Sequence, residues 1–535
     1  MNFKKTGLNT TRDSATVSLF TFFTTFLNNM SHKLIFLFLF AAASLQYCTD
    51  PVAKTVNTKS YCVGMDRSIT PLDTSTFNQY IKPNTTGVYV LEEGLEAITS
   101  RAWMCNQAQK TMDIQYFIFT EDNIGIISCD YMLRAACNGV KVRVIVDDLM
   151  QDTNPDYILA LDQHENIDIK IYNPNLTIGS NLVKKVYNGL TDFRGMNQRM
   201  HHKTFIIDEH MAITGGRNMA DEYFDFDHQY NFRDRDVLLI GGEAEEIQSE
   251  FDRYWASDLS VSISDLIAFS DPNYSPIGLY KWINEYTADS TNFWPSVRAG
   301  IPTIMNDIVN SDYFYYVDDV TFYSDDPGKN DGSAGLEGGG KSTEALIDLV
   351  NSAEKSIYIQ SPYLITTELG QGLFKKAVDR GVKIYILTNS LLSTDNIEAF
   401  SGYARDREDL LSTGVHVYEY KPDAEIRKDI MTSDLQRKMN FQPIFGLHAK
   451  SMVVDEKIAV IGTFNLDPRS AHLNTECVGV IHSADISKDM LRIMKLEMQP
   501  QNAWKITKEF NPDHLAGKAK ELKVMSRRLV PKSVL

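Results

Sequence analysis

The octet HHKTFIID at 201–208 returns, almost letter for letter, as HAKSMVVD at 448–455. One such stretch alone reads as a buried strand that carries a few polar side chains. A second copy 247 residues further on demands a reason for repeating the polar letters as well. On a strand, side chains two apart share a face, so His201 points with Lys203 and His448 with Lys450. His202 faces the other way and its counterpart is Ala449, so only His201 of the doublet recurs. His202 is therefore read as structural, as are the isolated His164, His210 and His228.

The match runs on downstream. A glycine follows each histidine by 14 residues (Gly215, Gly462) and an asparagine by 17 (Asn218, Asn465). Further on an acid recurs, Asp234 in NFRDRDV and Glu476 in NTECVGV. Strand packing conserves apolar alternation and has no reason to keep His, Lys, Asp, Gly and Asn at fixed spacing. Asp208 and Asp455 lie an odd number of residues from the histidines, so they face away and are assigned to support of the loop. Asp234 and Glu476 suit a different task, holding the second imidazole nitrogen and fixing its tautomer. Asp236 competes with Asp234 for that place, with the register favouring Asp234.

Around these motifs the chain repeats itself as a whole. AQKTMDIQYFIF (108–119) matches AEKSIYIQSPYL (353–364), placing Gln115 opposite Gln360. AACNGVKVRVIVDD (135–148) matches KAVDRGVKIYILTN (376–389). Each copy alternates strand and helix. In the first, strands are expected at 112–119, 140–147, 167–173, 201–208, around 214–216 and at 237–240, with helices at 124–138, 153–164 and 243–258. The second runs through strands 356–361, 382–388, 415–420, 447–454, 458–462 and 477–481, with helices 367–380, 395–412 and 484–497. That alternation predicts an α/β sandwich around a largely buried mixed sheet, made twice. The expected layout is 1–50 as signal peptide or membrane anchor and 51–90 as linker. Then come domain one at 91–262, an irregular connector at 263–340, domain two at 341–500 and a basic tail at 501–535.

The bulk numbers set limits. A chain of 535 residues, 43% hydrophobic and 23% charged, is an ordinary globular protein with more than one core. Its formal net charge of −17 argues against coating nucleic acid, which needs Lys and Arg on phosphates. The tail from 518 on, with Lys518, Lys520, Lys523, Arg527, Arg528 and Lys532, is either a solvated end or a contact for an anionic membrane surface. At the other end, MSHKLIFLFLFAAASLQYC (30–48) has a basic start and a short apolar run, the pattern of an exported leader. Met30 competes with Met1 as the start, and cleavage near Ala41–Ala43, lipidation of Cys48 and an uncleaved anchor stay open. Six cysteines make no dense disulfide framework; Cys105, Cys129 and Cys137 are read as small buried hydrophobes. No Cys/His cluster has zinc spacing. GLEGGGKS (335–342) fits a phosphate-loop pattern, but no strand feeds into it. It is read as a loop before a helix at 343–353, capped by Ser342 or Thr343.

The paired motifs resemble the HKD motifs of the phospholipase D superfamily, whose two halves each give one set to a shared active site. RMHHKTFIIDEHMAITGGRNMADEYF (199–224), LHAKSMVVDEKIAVIGTFNLDPRSAHLNTE (447–476), SPYLITT (361–367), TNSLLSTDN (388–396) and GYARDREDLL (402–411) resemble the bacterial cardiolipin synthase C branch. The likeness spans roughly 95–500; the first fifty residues and 328–340 depart from it. It implies two tandem phospholipase D-like α/β-sandwich domains with mixed sheets, related by a pseudo-twofold and sharing one active site. The chemistry agrees with the residue types. One histidine attacks phosphorus while the other protonates the leaving oxygen, through a covalent phosphohistidine. Lys203, Lys450, Asn218 and Asn465 would hold the non-bridging oxygens, so neither cofactor nor metal is expected. By resemblance, each acid serves the histidine of the opposite half and His201 is the nucleophile. The expected function is a phosphatidyltransferase in phospholipid biosynthesis, making cardiolipin from phosphatidylglycerol and a second phospholipid such as phosphatidylethanolamine. The alternatives are a phospholipase D releasing phosphatidic acid, another phosphodiesterase of the family, and a lipid-binding scaffold without activity. Two intact motif sets weigh against the scaffold. The expected setting is the bacterial cell envelope, at a membrane surface and on its exported side. One chain holds both halves, so a monomeric active unit is expected.

Overall fold

The computed structural model describes residues 58, 61–62, 79–148, 153–174, 198–330, 338–431, 443–528 and 530–532. All lie in one compact unit, Pro51–Leu535. The expectations for 1–50, including the leader, Met30 and Cys48, fall outside the described residues.

Each half is built on a mixed sheet. In space the first runs Tyr315–Val317, Thr86–Leu91, Asp236–Ile240, Met211–Gly215, Thr204–Ile207, Thr111–Tyr116, Lys141–Asp147, Ile167–Tyr172 and Ser260–Ser262. The second runs Val320–Ser324, Cys477–His482, Ile458–Gly462, Ser451–Val454, Ser356–Gln360, Lys383–Asn389, His416–Tyr420 and Ala503–Lys505. Only the three strands linked by crossover helices pair in parallel within each sheet, 111–116 to 141–147 to 167–172 and 356–360 to 383–389 to 416–420. Strands such as Thr204–Ile207 and Ser451–Val454 are buried at every position, which is why they read as near-continuous apolar runs. The helices start where short polar side chains can take an unpaired N–H: Asp122, Asn154, Thr367, Asn396 and Ser483 all accept one. One apolar cluster draws on both halves, with Ile206, Leu239 and Phe251 of the first packed among Val453, Ile461 and Met490 of the second. The two repeats therefore share a core.

Several expectations need correction. The segment expected as a linker ends in strand Thr86–Leu91, next to the edge strand of the first sheet, followed by helix Gly94–Gln107. Among its described residues about half of the connector is regular rather than irregular. It holds helices Pro276–Ala288, Pro295–Gly300 and Ile304–Val309, and strands Tyr315–Val317 and Val320–Ser324 that close an edge of each sheet. Their polar, aromatic-rich letters carry no clean period, because only one side of each meets the body. The tail is neither loose nor wholly basic surface. Ala503–Lys505 extends the second sheet, and helix Lys518–Arg527 lies against helix Ile397–Ser412, with Val524 buried and its carbonyl bonded by Ser401. Neither Ser342 nor Thr343 caps the helix after the glycines. It begins at Lys341, and buried Asp325 takes the Ser342 N–H at 3.0 Å and its hydroxyl at 2.8 Å.

Cys137 is not a lone hydrophobe. It is disulfide-bonded to Cys62, across 75 residues of sequence, with the His164 ring beside both sulfurs. The bond fastens the turn at Tyr61–Cys62 to helix Asn123–Cys137, and Tyr61 donates to the Tyr280 carbonyl next to it. No periodicity could announce a partner so far away. Closing a loop of this length restricts the unfolded chain, so removing the bond in a Cys62→Ser/Cys137→Ser protein should cost about 2–4 kcal/mol. Urea titration reads this as a lower midpoint in the variant; coincident curves would contradict it.

Among the described residues no helix is long and apolar enough to cross a membrane.

Candidate active site

The two motifs meet where strands leave their own sheets. The extended strand expected over 201–208 is regular only at Thr204–Ile207, and that over 447–454 breaks into Ile444–Leu447 and Ser451–Val454. The histidine and lysine of each set lie in the irregular step, because there the backbone bonds to the other half. The His201 N–H donates to the Thr475 carbonyl at 2.9 Å, and Thr475 N–H returns a bond to Arg199 at 2.9 Å. In the matching place Ile444–Leu447 pairs in parallel with Tyr230–Arg233, and the His448 N–H donates to the Arg233 carbonyl at 2.8 Å. The residue before each acid is thus tied to the neighbourhood of the opposite histidine.

The result is two crossed pairs. Glu476 Oε2 lies 2.8 Å from His201 Nδ1, and Asp234 Oδ2 lies 2.6 Å from His448 Nδ1. Against a carboxylate, Nδ1 is the protonated nitrogen, which leaves Nε2 to carry chemistry. Asp236 stands apart, paired with buried Arg101 at 2.8 Å. Lys203 Nζ donates to the His201 carbonyl at 2.8 Å; Lys450 Nζ donates to that of His448 at 2.6 Å and sits 3.0 Å from its ring. Both lysines and both histidines are buried.

The glycines and Asp208/Asp455 do structural work. A Cβ on Gly215 would fall 2.5 Å from Asp236 Cα, and one on Gly462 2.7 Å from Val478 Cα, so only glycine lets these strands close. Asp208 and Asp455 sit at positive φ in the hairpin turn behind each motif. Each carboxylate collects three backbone N–H groups, from Gln109, Lys110 and Thr111 in one half and Glu354, Lys355 and Ser356 in the other. They face away from the histidines. Asn218 bonds the Tyr223 hydroxyl at 2.8 Å, whereas Asn465 Oδ1 is buried without a partner. Its end of the site is the one with an unspent polar group.

Sequence reasoning missed the supports. Glu476 is held by the Thr463 hydroxyl at 2.6 Å and the Ser470 hydroxyl at 2.8 Å, while its N–H donates to Asp325 at 3.0 Å. Asp234 has a different solution: a Cβ on Gly216 would clash with its carboxylate, so glycine makes its room. Phe117 meets the His201 ring edge-on, and Tyr223 and Phe232 flank His448. Thr463 lies 247 residues after Gly216 and Ser470 247 after Tyr223, so nothing in the self-match pointed to them. His202 is structural, between Ser324 and Tyr254.

Charge is concentrated and buried here. Burial, then the charge of Lys450, pushes Lys203 down to about 7. Burial also lowers Lys450, to about 8, against the pull of Asp234 and Glu476. Burial drives His201 down to about 4 in spite of Glu476, and His448 down to about 3, Lys450 adding to the second. Burial would raise Glu476, but His201, Thr463 and Lys203 outweigh it and hold the carboxylate at about 2. His201 also feels Lys450, and His448 feels Lys203, so the two sets act on one space. An anion entering this space would offset both ammonium groups and raise the imidazole it faces.

A pH dependence follows. In the free protein the lysines lose charge as pH rises through 7 to 8, and with it their pull on an anion; His201 gains a proton only near pH 4. kcat/KM should therefore decline with rising pH, because His448 must take up a proton to act as acid, and decline more steeply above about pH 7–8, where the lysine charges are lost as well, while kcat holds to higher pH because a bound anion keeps these groups charged. Lys203→Arg should move the alkaline fall upward. A kcat/KM flat to pH 9 would contradict this account.

A sheet-and-helix body with two crossed His–acid pairs defines a class, and sequence comparison identifies the same one. The family model for the PLD-like domain of cardiolipin synthase matches residues 104–255 and 346–497, and the chain belongs to this family. The chain is 32% identical over 426 residues to cardiolipin synthase C of Escherichia coli (strain K12), covering 79% of this chain and 87% of that protein. It is 32% identical over 475 residues to an uncharacterized protein of Helicobacter pylori (strain ATCC 700392 / 26695), covering 88% and 90%. Among solved structures, phosphatidylserine synthase from Haemophilus influenzae Rd KW20 superposes with a TM-score of 0.56 at 14% identity, over 90% of this chain and all of that one. That likeness concerns the fold.

Proposed function

We propose that this chain is a phosphatidyltransferase that makes cardiolipin. The observation that carries the reading is the crossed pairing, in which each half's acid orients the other half's histidine beside two buried lysines. His201 Nε2 attacks the phosphorus of a donor phospholipid, and the bond from phosphorus to the headgroup oxygen breaks. His448, protonated with the anion bound, gives its Nε2 proton to that oxygen. The phosphatidyl group then rests on His201 as a phosphoramidate. A terminal glycerol hydroxyl of phosphatidylglycerol next attacks phosphorus, His448 takes its proton, and the bond to His201 breaks. Lys203 and Lys450, with Asn218 and Asn465, hold the non-bridging oxygens throughout. These residues need no metal for the displacement.

Similarity to cardiolipin synthase C over most of both chains supports this acceptor over water. Water in the second step would give phosphatidic acid instead. One chain carries both motif sets, so a monomer suffices as the active unit. The Cys62–Cys137 disulfide supports a place on the oxidising, exported side of a bacterial envelope, with catalysis at the membrane surface. Incubation of the purified chain with phosphatidylglycerol, with and without phosphatidylethanolamine, should yield cardiolipin on lipid analysis. Phosphatidic acid alone would replace the transferase with a hydrolase, and inertness towards both lipids would remove the reading.

A further inference from the structure

Arg233 and Arg235, on either side of Asp234, are fully buried. Taking such charges out of water is costly, and apolar side chains of similar volume often serve stability as well or better, so stability alone does not explain them. They belong to a closed ring. Arg233 Nε donates to Glu497 Oε1 at 2.5 Å, and Gln360 Nε2 donates to Glu497 Oε2 at 2.5 Å. Gln360 Oε1 accepts from Arg235 Nη1 at 2.5 Å, and Arg235 Nε donates to Glu92 Oε1 at 2.9 Å. Glu92 Oε2 then takes a bond from Arg233 and completes the circuit. Glu92, Arg233 and Arg235 come from the first half. Gln360, which ends strand Ser356–Gln360, and Glu497, which ends helix Ala484–Glu497, close the ring from the second.

Both partners of the His448–Asp234 hydrogen bond hang from this ring. Arg233 Nη1 donates to the Asp234 carbonyl at 2.6 Å, and the Arg235 N–H donates to Asp234 Oδ1 at 2.8 Å. The Arg233 carbonyl in turn accepts the N–H groups of His448 at 2.8 Å and Ala449 at 3.0 Å. Arg235 also donates to the Ser451 hydroxyl at 2.8 Å, one residue past Lys450. The His201 side has no such device. Thr475 and Cys477, each 242 residues on, stand where the arginines would be, and Gln115, the counterpart of Gln360, donates to the Met200 sulfur at 2.9 Å instead. We propose that Gln360 and Glu497 are positioning residues for His448. By closing the ring they hold carboxylate and imidazole in register across the seam, and so govern proton transfer to the headgroup oxygen. The assignment rests on the functional reading above, in which His448 is the acid, and goes beyond it by naming what aims that acid. A misplacement of about 1 Å in such a pair costs roughly 10²-fold in rate.

The test isolates proton delivery, using the full-length chain and a pair of phosphatidyl donors with the same acyl chains. In phosphatidylglycerol the leaving oxygen needs a proton from His448; in phosphatidyl-p-nitrophenol it departs as a stable phenolate and needs none. In Gln360→Met and Glu497→Gln, kcat for phosphatidylglycerol should fall by about thirtyfold or more with KM unchanged, while the first-turnover burst of p-nitrophenolate slows by about threefold or less. Gln115→Met, the same exchange in the other half, should keep the parent's ratio of the two rates. Equal slowing of both donors in the ring variants would make the ring a structural clamp and overturn the assignment. Parent-like rates would overturn it too, as would failure of both variants to fold. Gln360→Met removes no charge, so it decides the matter even where Glu497→Gln does not fold. A parent inert towards both donors, or one that carries the phosphate on His448, removes the functional reading, and this assignment with it.

Discussion

Replacing His201 with alanine should lower turnover by at least about 10⁴-fold while the protein stays folded, and His448→Ala should match it. Each ring is pinned from across the seam by a carboxylate, so its removal deletes a reacting nitrogen and leaves the sheet pairing intact. The losses should not add. Once the nucleophile is gone, the acid has nothing to assist, and the double variant should be as slow as either single one. In the proposed mechanism the two histidines nevertheless differ in task. A rapidly quenched reaction of the parent with labelled lipid should place phosphate on His201. His448→Ala should still form some of that intermediate when the headgroup is a good leaving group, because attack needs no proton from His448. Label trapped on His448 in the parent would reverse the assignment.

The second large effect concerns the acids. Glu476→Gln keeps size and hydrogen bonding, yet its amide can present a donor to His201 Nδ1 and favour the wrong tautomer, leaving Nε2 protonated. A drop in kcat of about 10²–10⁴-fold is expected with little change in KM, because phosphate is held by the lysines. Asp234→Asn should do the same through His448. A merely structural role would lower stability and kcat together. The positioning role predicts instead an unchanged melting temperature, and slower formation of the phosphohistidine in Glu476→Gln. An unchanged kcat would remove Glu476 from the mechanism.

Much of this was legible beforehand, for a specific reason. The duplication acted as an internal comparison: His201, Lys203, Asn218 and Asp234 stood out because His448, Lys450, Asn465 and Glu476 repeated them at matching distances. Wherever the halves diverge, that signal vanished. Thr463 and Ser470, which hold Glu476, answer to Gly216 and Tyr223, and Asp325 lies in the connector, which has no copy. The expected strand over 201–208 also failed at its functional end, because the hydrogen bonds of His201 go to Thr475 instead of its own sheet. Pattern records which face of a strand is apolar; it does not record which chain segment lies alongside.

By itself, then, the amino-acid order determined the alternating elements, the twofold repetition and the candidate side chains of the site, since all three are written as local periods and recurring letters. Tertiary structure gave the contacts for the crossed pairing of Glu476 with His201 and Asp234 with His448, implied beforehand by resemblance alone, and by itself decided that Cys62 meets Cys137. These are contacts between residues 75 to 275 positions apart, set by how two sheets pack across a common core. No local period encodes that packing.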